Sequence, residues 1–302
     1  MVSILVPVYN ASQYLRECVD SLTGQTYKDL QIVLINDGST DDSWELLQEL
    51  ARKDQRLEVY SQPNCGVAAT RNRLLDKANG DFVLFVDSDA WIDTNTIEVL
   101  MQEQANGDYD MVVFNHPNNE VWQKEKAVYE FLRHREFRGM LWNKLIRRKL
   151  FEKLLFDESV SYGEDALMVW GVLQRVSKVC LLNKAFYHYR VNENSLSCQP
   201  FNGNKFTAYT TWDNICSDTI ELWPQYKEIA GARFAIEMAL ILKDAAIKDY
   251  PRTSSIKLLQ EEVRRDGHLI KKTRISTFRM SAFSWLVSHW YRLTCRLKKM
   301  LS

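Results

Sequence analysis

Three short, almost unbroken apolar runs constrain this chain more than anything else in it: VSILVPV (Val2–Val8), QIVLI (Gln31–Ile35) and FVLFV (Phe82–Val86). Runs of this length and β-branched content suit strands of a sheet that is covered on both faces. Two weaker runs, Leu57–Tyr60 and Met111–Phe114, have the same character. Helical patterns separate them. After Asn10, the residues Tyr14, Leu15, Cys18, Val19 and Leu22 recur at three- and four-residue steps as one apolar stripe, with Ser12 as the expected N-cap. After Gly38, the segment STDDSWELLQELARK brings Trp44, Leu47 and Leu50 to one face. After Gly66, VAATRNRLLDKANG closes on Gly80, the expected C′ residue. This alternation with short loops predicts an α/β fold, Rossmann-like, with a mostly parallel central sheet flanked by helices. In such sheets ligands bind outside the carboxyl ends of the strands. The polar clusters of this chain sit there: Tyr9-Asn10, Asn36-Asp37-Gly38-Ser39 and Asp87-Ser88-Asp89.

From about Val121 aromatic and basic residues become more frequent, and a helical run spans about Gly163–Val176. From about Asn204 to Tyr250 the pattern is mainly helical, with Ala235, Met238, Ala239, Leu242 and Ala246 on one stripe. Pro200, Asn202 and Gly203 cluster at the change. The expected organisation is therefore an α/β domain over residues 1–200, split into halves at 1–115 and 116–200, followed by a helical region over 201–302. A chain of 302 residues, 46% hydrophobic, is long enough for this.

Lys plus Arg number 39 and Asp plus Glu number 39, so no global field attracts nucleic acid, and none is expected as a partner. The six cysteines, Cys18, Cys65, Cys180, Cys198, Cys216 and Cys295, contain no C-x-x-C pair and read as scattered reduced thiols. MVSILVPVYN lacks the basic start of a signal peptide, and no apolar run reaches the ~18 residues of a membrane span. A cytoplasmic location is expected. The chain has neither G-x-G-x-x-G nor G-x-x-x-x-G-K-[ST], which sets aside dinucleotide oxidoreductases and P-loop NTPases.

Each polar cluster has two readings. In NDGSTDDS (Asn36–Ser43), Asp-Gly makes a turn and Ser39 or Thr40 caps a helix; alternatively Asp37, a pure acceptor, takes a hydrogen bond from a nucleobase N–H. In NCGVAATRN (Asn64–Asn72), a glycine turn precedes a helix with a surface Arg; alternatively Arg71 or the helix start faces anionic groups. In FVLFVDSDAW, Asp87 and Asp89 cap a turn, or they hold a cation. Two carboxylates kept close repel unless a cation lies between them, and hard oxygen ligands suit Mg²⁺ or Mn²⁺ completed by substrate phosphates. Glu164 and Asp165 are favourable at a helix N-terminus in any case. On a helix they point about 100° apart, so only one can face a cleft squarely. His188 and Arg190 are either structural or face the donor's diphosphate or metal side.

Taken in order, VSILVPVYN, IVLINDGSTDDS, NCGVAATRN and GDFVLFVDSDAW resemble the family 2 glycosyltransferases of the GT-A fold, inverting enzymes that use nucleotide sugars. WNKLIRRKLF (Trp142–Phe151), YGEDALMVW (Tyr162–Trp170) and YHYRVNENSLS (Tyr187–Ser197) are similar to the family's second half, so the likeness covers roughly Met1–Ser197. The resemblance implies that Pro7, Val8, Tyr9, Asn10 and the Asp37 region hold the nucleoside, and that Asn64, Gly66, Arg71, Asp87 and Ser88 complete the nucleotide-sugar site. It implies that Asp87 and Asp89 are the D-x-D metal ligands, Asp89 the direct one, with His188 as a further ligand and Mn²⁺ or Mg²⁺ as cofactor. It makes Asp165 the catalytic base. The acceptor it implies is a glycan or lipid-linked glycan, as in capsule, exopolysaccharide or lipopolysaccharide synthesis. Two departures stand out: Ala90 replaces the last acid of the D-S-D-D found in many relatives, and Thr70 stands where relatives often have Ala. The competing readings are a sugar-nucleotide-binding protein without catalysis and a sugar-phosphate nucleotidyltransferase. VPVYNAS lacks the Gly-rich basic loop that the second would need.

No Asp or Glu follows Asp266, whereas Lys271, Lys272, Arg274, Arg279, Arg292, Arg296, Lys298 and Lys299 do. Ile275, Phe278, Phe283, Leu286, Trp290, Leu293, Leu297 and Met300 fall near one helical face, bordered by Trp285 and Tyr291. A basic, aromatic-rich amphipathic helix lies on an anionic membrane surface or docks on protein; the first would place the chain peripherally at the inner face of the cytoplasmic membrane.

Overall fold

The computed structural model describes residues 1–190, 201–248, 250–275, 278–289 and 291. The chain runs β1 (Val2–Val8), α1 (Ser12–Thr23), β2 (Leu30–Asp37), α2 (Ser43–Ala51), β3 (Leu57–Gln62), α3 (Val67–Lys77), β4 (Phe82–Phe85), β5 (Trp91–Ile92), α4 (Thr96–Gly107), β6 (Met111–Val113), β7 (Glu120–Gln123), α5 (Lys124–Arg133), β8 (Lys144–Arg147), α6 (Glu164–Leu173), β9 (Lys178–Leu181) and β10 (Tyr187–His188). Four helices follow: α7 (Ala208–Leu222), α8 (Lys227–Ile247), α9 (Ser254–Thr273) and α10 (Phe278–His289). The chain divides into two compact units: Met1–Val128, 136–158 and 168–191 in the first, 129–135, 159–167 and 192–302 in the second.

The first unit is built on an eight-stranded sheet of order β3-β2-β1-β4-β8-β6-β9-β7. Its β3-β2-β1-β4 half is wholly parallel. β8 enters antiparallel to both β4 and β6, β6 and β9 are parallel, and β7 closes the sheet antiparallel to β9. The predicted mostly parallel α/β sheet is thus observed, with antiparallel pairings at β8, with both β4 and β6, and at the β7 edge. All eight residues of β2 are buried, which explains why that strand reads as continuous rather than alternating. Ile4, Val6 and Val8 of β1 join Leu15, Val19 and Leu22 of α1, Leu47 of α2 and Leu100 of α4 in one core. Leu5, Val33 and Val83 are equally buried but outside that cluster, and α3 packs on β1 and β2. A second, two-stranded antiparallel sheet pairs β5 with β10, His188 lying opposite Trp91.

Two expected helix signals are realised differently. Ser12 is the first helical residue of α1 rather than its cap; the Ala11 N–H donates to Ser43 Oγ at 2.9 Å and the Ser12 N–H to Asp41 Oδ2 at 3.0 Å. A cap supplied from across the β2–α2 turn serves the same orphan amides. Gly80 is not a C′ residue: α3 ends at Lys77, and a Cβ at Gly80 would stand 2.6 Å from the Ser3 backbone nitrogen. Close approach to β1, not helix termination, demands glycine there.

In the second unit α8 is more than a one-faced helix. Ala235, Met238, Ala239, Leu242 and Ala246 are buried as predicted, and so are Ala232, Phe234, Ile236 and Ile241. α8 packs against α7, α9 and α10, so it is central and apolar around much of its girth. Arg233, 7% exposed, donates to the Leu132 and Arg133 carbonyls and to Glu237, which serves the carbonyl end of α5.

Candidate active site

The register of the parallel half decides where the site residues emerge. Val8 pairs with Asn36 and Leu5 with Phe85, so Asn10, Asp37 and Asp87 all leave the sheet at its carboxyl edge. Pro7 is half-buried and Val8 buried, whereas Tyr9 is 53% exposed and Asn10 exposed. Asn10 turns the chain with φ +48°, and its Oδ1 accepts from the Thr40 N–H at 2.8 Å while its own N–H donates to Ser39 Oγ at 3.0 Å. The VPVYN and NDGSTDDS segments are therefore laced together.

Asp37 is 4% exposed. Its Oδ1 accepts from Gln62 Nε2 at 2.8 Å and from the Cys65 N–H at 3.0 Å, and its Oδ2 accepts from the Gly66 N–H at 3.0 Å. Successive backbone N–H groups at a helix start form an anion nest. The anion seated at the start of α3 in this structure is Asp37. Asn64 Nδ2 donates to the Asp37 carbonyl at 2.9 Å. A Cβ on Gly38, where φ is +68°, would meet the Asn64 nitrogen at 2.6 Å. The two loops touch so closely that only glycine fits. Arg71 is not the surface cation anticipated: it is 7% exposed, with its guanidinium 5.7 Å from the Phe156 ring centroid.

Gln62 and Thr70 carry roles that sequence reading missed. Gln62 Nε2 also donates to Thr70 Oγ1 at 2.9 Å, Gln62 Oε1 accepts from Arg73 at 2.9 Å, and Thr70 Oγ1 donates to the Gly66 carbonyl at 3.0 Å. Thr70, fully buried, is more than a departure from Ala; its hydroxyl extends the Asp37 network.

Asp87, Ser88 and Asp89 are half-buried and follow β4 directly. Asp87 is held at several atoms. Its N–H donates to Tyr187 Oη and its Oδ2 accepts from the same hydroxyl, both at 3.0 Å; its carbonyl accepts from Cys18 Sγ at 3.6 Å. Burial, then the charges of Asp87 and Asp89, push the Cys18 thiol far above its ordinary value, so it stays protonated. Ala90 is 1% exposed. A third acid there would bear a desolvation cost.

His188 does not join the pair: its Nε2 lies 2.7 Å from Asp93 Oδ1 and its ring stacks on Trp91 with centroids 5.1 Å apart. Among the described residues no group of three or more His, Cys, Asp or Glu side chains is arranged to hold a metal. The set that remains is two carboxylates with a neutral thiol beside them. That fits a hard Mg²⁺ or Mn²⁺ whose other positions are filled by phosphate and water, and not a metal caged by protein alone. Arg190 pairs with Glu17, and its guanidinium lies 4.9 Å from the ring centroids of both Tyr14 and Trp91.

Asp165 belongs to the second unit, in the first turn of α6 and half-buried. The turn before it is fixed by α7 and its approach: Thr207 Oγ1 accepts from the Ser161 and Tyr162 N–H groups at 3.1 and 3.0 Å, and Thr211 Oγ1 donates to the Gly163 carbonyl at 3.4 Å.

Residues 3–161 match the family model described as Glycosyl transferase family 2. The chain belongs to that family. It is similar to glycosyltransferase GlyA of Streptococcus pneumoniae, 34% identical over 218 residues, covering 65% of this chain and 31% of that protein. It is also similar to the uncharacterized glycosyltransferase EpsJ of Bacillus subtilis, 33% identical over 220 residues, covering 67% and 64%. The chain thus spans about a third and under two thirds of these two relatives. Among solved structures, S. aureus TarS 1–349 in complex with UDP-GlcNAc superposes with a TM-score of 0.67 at 20% identity, covering 99% of this chain and 91% of that one. At that identity the likeness is one of fold, and it supports the GT-A architecture of this family 2 member.

Proposed function

We propose that this chain transfers a sugar from a uridine-diphosphate donor, a UDP-hexose or UDP-N-acetylhexosamine, to a growing glycan or lipid-linked glycan of a bacterial surface polysaccharide, with inversion. One observation carries the reading. In a family 2 chain, the adjacent parallel strands β2, β1 and β4 deliver Asp37, the Tyr9-Asn10 turn and the Asp87/Asp89 pair to one edge of one sheet. The UDP-GlcNAc complex of TarS supports a uridine donor.

In this reading the exposed ring of Tyr9 packs on the base, and Asp37 fixes the loops around it. Its Oδ2 retains acceptor capacity for a base N–H, since a carboxylate oxygen accommodates about two donors. Asp87 and Asp89 hold the diphosphate through a divalent cation. When bound, that cation supplies charge neutralisation of the departing diphosphate. Asp165 takes the proton of the acceptor hydroxyl as that oxygen attacks the anomeric carbon from the face opposite the nucleoside diphosphate. The C1–O bond to the diphosphate breaks, the acceptor–C1 bond forms, and configuration inverts. Within the second unit, the hydroxyls of Thr207 and Thr211 hold the turn that precedes Asp165.

A panel of UDP-sugars, assayed for UDP release with Mn²⁺, tests the reading. Turnover of one donor well above the others is expected, with an acceptor product of opposite anomeric configuration by NMR. Pyrophosphate release from UTP and a sugar phosphate, without UDP-sugar turnover, would replace the transferase by a nucleotidyltransferase. We also propose that the basic tail brings the enzyme to the inner face of the cytoplasmic membrane.

A further inference from the structure

We propose that Tyr187 is the positioning residue of the D-x-D pair: its hydroxyl fixes Asp87 in the orientation that lets the two carboxylates engage a divalent cation together with the donor's diphosphate. The proposal rests on the donor reading above.

The YHYR segment resembles the family yet gives its first tyrosine no chemistry of its own. In the fold, Tyr187 Oη stands 3.0 Å from the Asp87 N–H, whose hydrogen bond it accepts, and 3.0 Å from Asp87 Oδ2, to which it donates. One hydroxyl therefore spans the backbone and the carboxylate of the same residue, which defines both the Asp87 side-chain rotamer and the exit of the chain from β4. A hydroxyl has one proton and two lone pairs, so both bonds are made at once.

The tyrosine is itself held on every side. It is 5% exposed, and its ring stacks on Trp142 with centroids 4.5 Å apart. Its N–H donates to Asn115 Oδ1 at 3.3 Å, and its carbonyl accepts from Asn115 Nδ2 at 3.2 Å. Tyr187 pairs with Ile92, five residues beyond Asp87, across the small β5–β10 sheet. Among the described residues no hydrogen bond clamps Asp89 in this way. The arrangement divides the labour between the two acids: Asp87 is a fixed post, and Asp89 adjusts to the cation. Partners of this kind behind metal ligands are worth about 10–100-fold in metal affinity.

Calorimetric titration of the full chain with UDP, in Mn²⁺ and in EDTA, reads the effect directly. Tyr187→Phe keeps the ring and its stacking but removes the hydroxyl. We expect unchanged UDP affinity in EDTA and a loss of about 10-fold or more in the Mn²⁺-dependent gain. In an Asp87→Asn background the same change should cost nothing further, because the hydroxyl acts through Asp87; a purely structural role would add its own loss. If Tyr187→Phe does not fold, Trp142→Leu keeps the hydroxyl but frees the ring, and a partial loss of the Mn²⁺-dependent gain is expected. An undiminished gain in whichever variant folds, or additive losses with Asp87→Asn, overturns the role of Tyr187. A wild-type chain whose UDP affinity is equal in Mn²⁺ and EDTA would instead overturn the donor reading itself.

Discussion

At the scale of single residues, carboxylates with the same charge do different work because their surroundings differ. Asp37 spends most of its acceptor capacity on its own protein and keeps part of Oδ2 for a donor, Asp87 is clamped by Tyr187, and Asp165 follows a turn tied to two threonine hydroxyls. Asp165→Asn removes the proton acceptor while keeping the shape. It should leave UDP affinity nearly intact and lower transfer by about 10²–10⁴-fold, equivalent to roughly 3–5 kcal/mol of barrier. Equal transfer rates in a steady-state assay would remove Asp165 from the mechanism. The identities of these acids were legible in the sequence because each follows a strand or opens a helix. Their partners were not. Gln62, Thr70, Thr207 and Tyr187 are joined to them by tertiary approach, and no periodicity announces a hydroxyl or amide that arrives from elsewhere in the chain. His188 shows the converse limit: position in a motif is visible, but which acid its imidazole faces depends on how β10 registers with β5.

At the scale of elements, apolar continuity predicts the strands well because a strand buried on both faces leaves no room for polar residues. β1 spans Val2–Val8 as expected, and β2 extends a few residues beyond the apolar run to include Asp37. Helix ends are harder, since a cap can come from a distant residue. Asp41 illustrates this, accepting from the Ser12 N–H at the start of α1 and from the Ser43 N–H at the start of α2. Burial raises its pKa, but the hydrogen bonds from Ser43 and Ser12 outweigh it and hold the carboxyl below its ordinary value. A group depressed in the fold contributes stability above its unfolded pKa and loses it as pH falls through the folded value. Asp41→Ala should therefore cost about 1 kcal/mol at neutral pH. In urea melts, that difference should persist down to about pH 4 and shrink below it. A difference that grows on acidification would contradict the capping role.

At the scale of the whole molecule, the C-terminal region is the part that sequence pattern describes least well. The face of α10 that is buried carries Ser284, Val287 and Ser288, with Ile275 and Tyr291 also buried, whereas Trp285 is 57% exposed. The stripe drawn from Ile275 through Phe283 and Leu286 is thus rotated from the face that packs. α10 packs on α9 and α8, and Gln260 and Arg264 of α9 donate to the carbonyls that end α10; hydropathy does not count backbone bonds of that kind. Trp290, Leu293, Leu297 and Met300 lie outside the described residues. No helix among the described residues is long and apolar enough to cross a membrane. In the proposed peripheral attachment, surface charge would contribute about 1 kcal/mol per basic residue near an anionic leaflet. Replacing Arg292, Arg296, Lys298 and Lys299 by Gln should abolish flotation with vesicles rich in anionic lipid. Flotation that is unchanged by the replacement, or absent in the wild type, would remove the membrane from the account.

The central claim is that the β1, β2 and β4 strand ends assemble a metal-assisted donor site in which Asp89 is the direct ligand. UDP affinity of Asp89→Ala, measured with Mn²⁺ and with a chelator beside the wild type, tests it most directly. The account predicts that Mn²⁺ tightens UDP binding of the wild type by about 10-fold or more and has no effect on the variant, while metal-free affinities agree. A variant that keeps the full Mn²⁺-dependent gain would contradict the account.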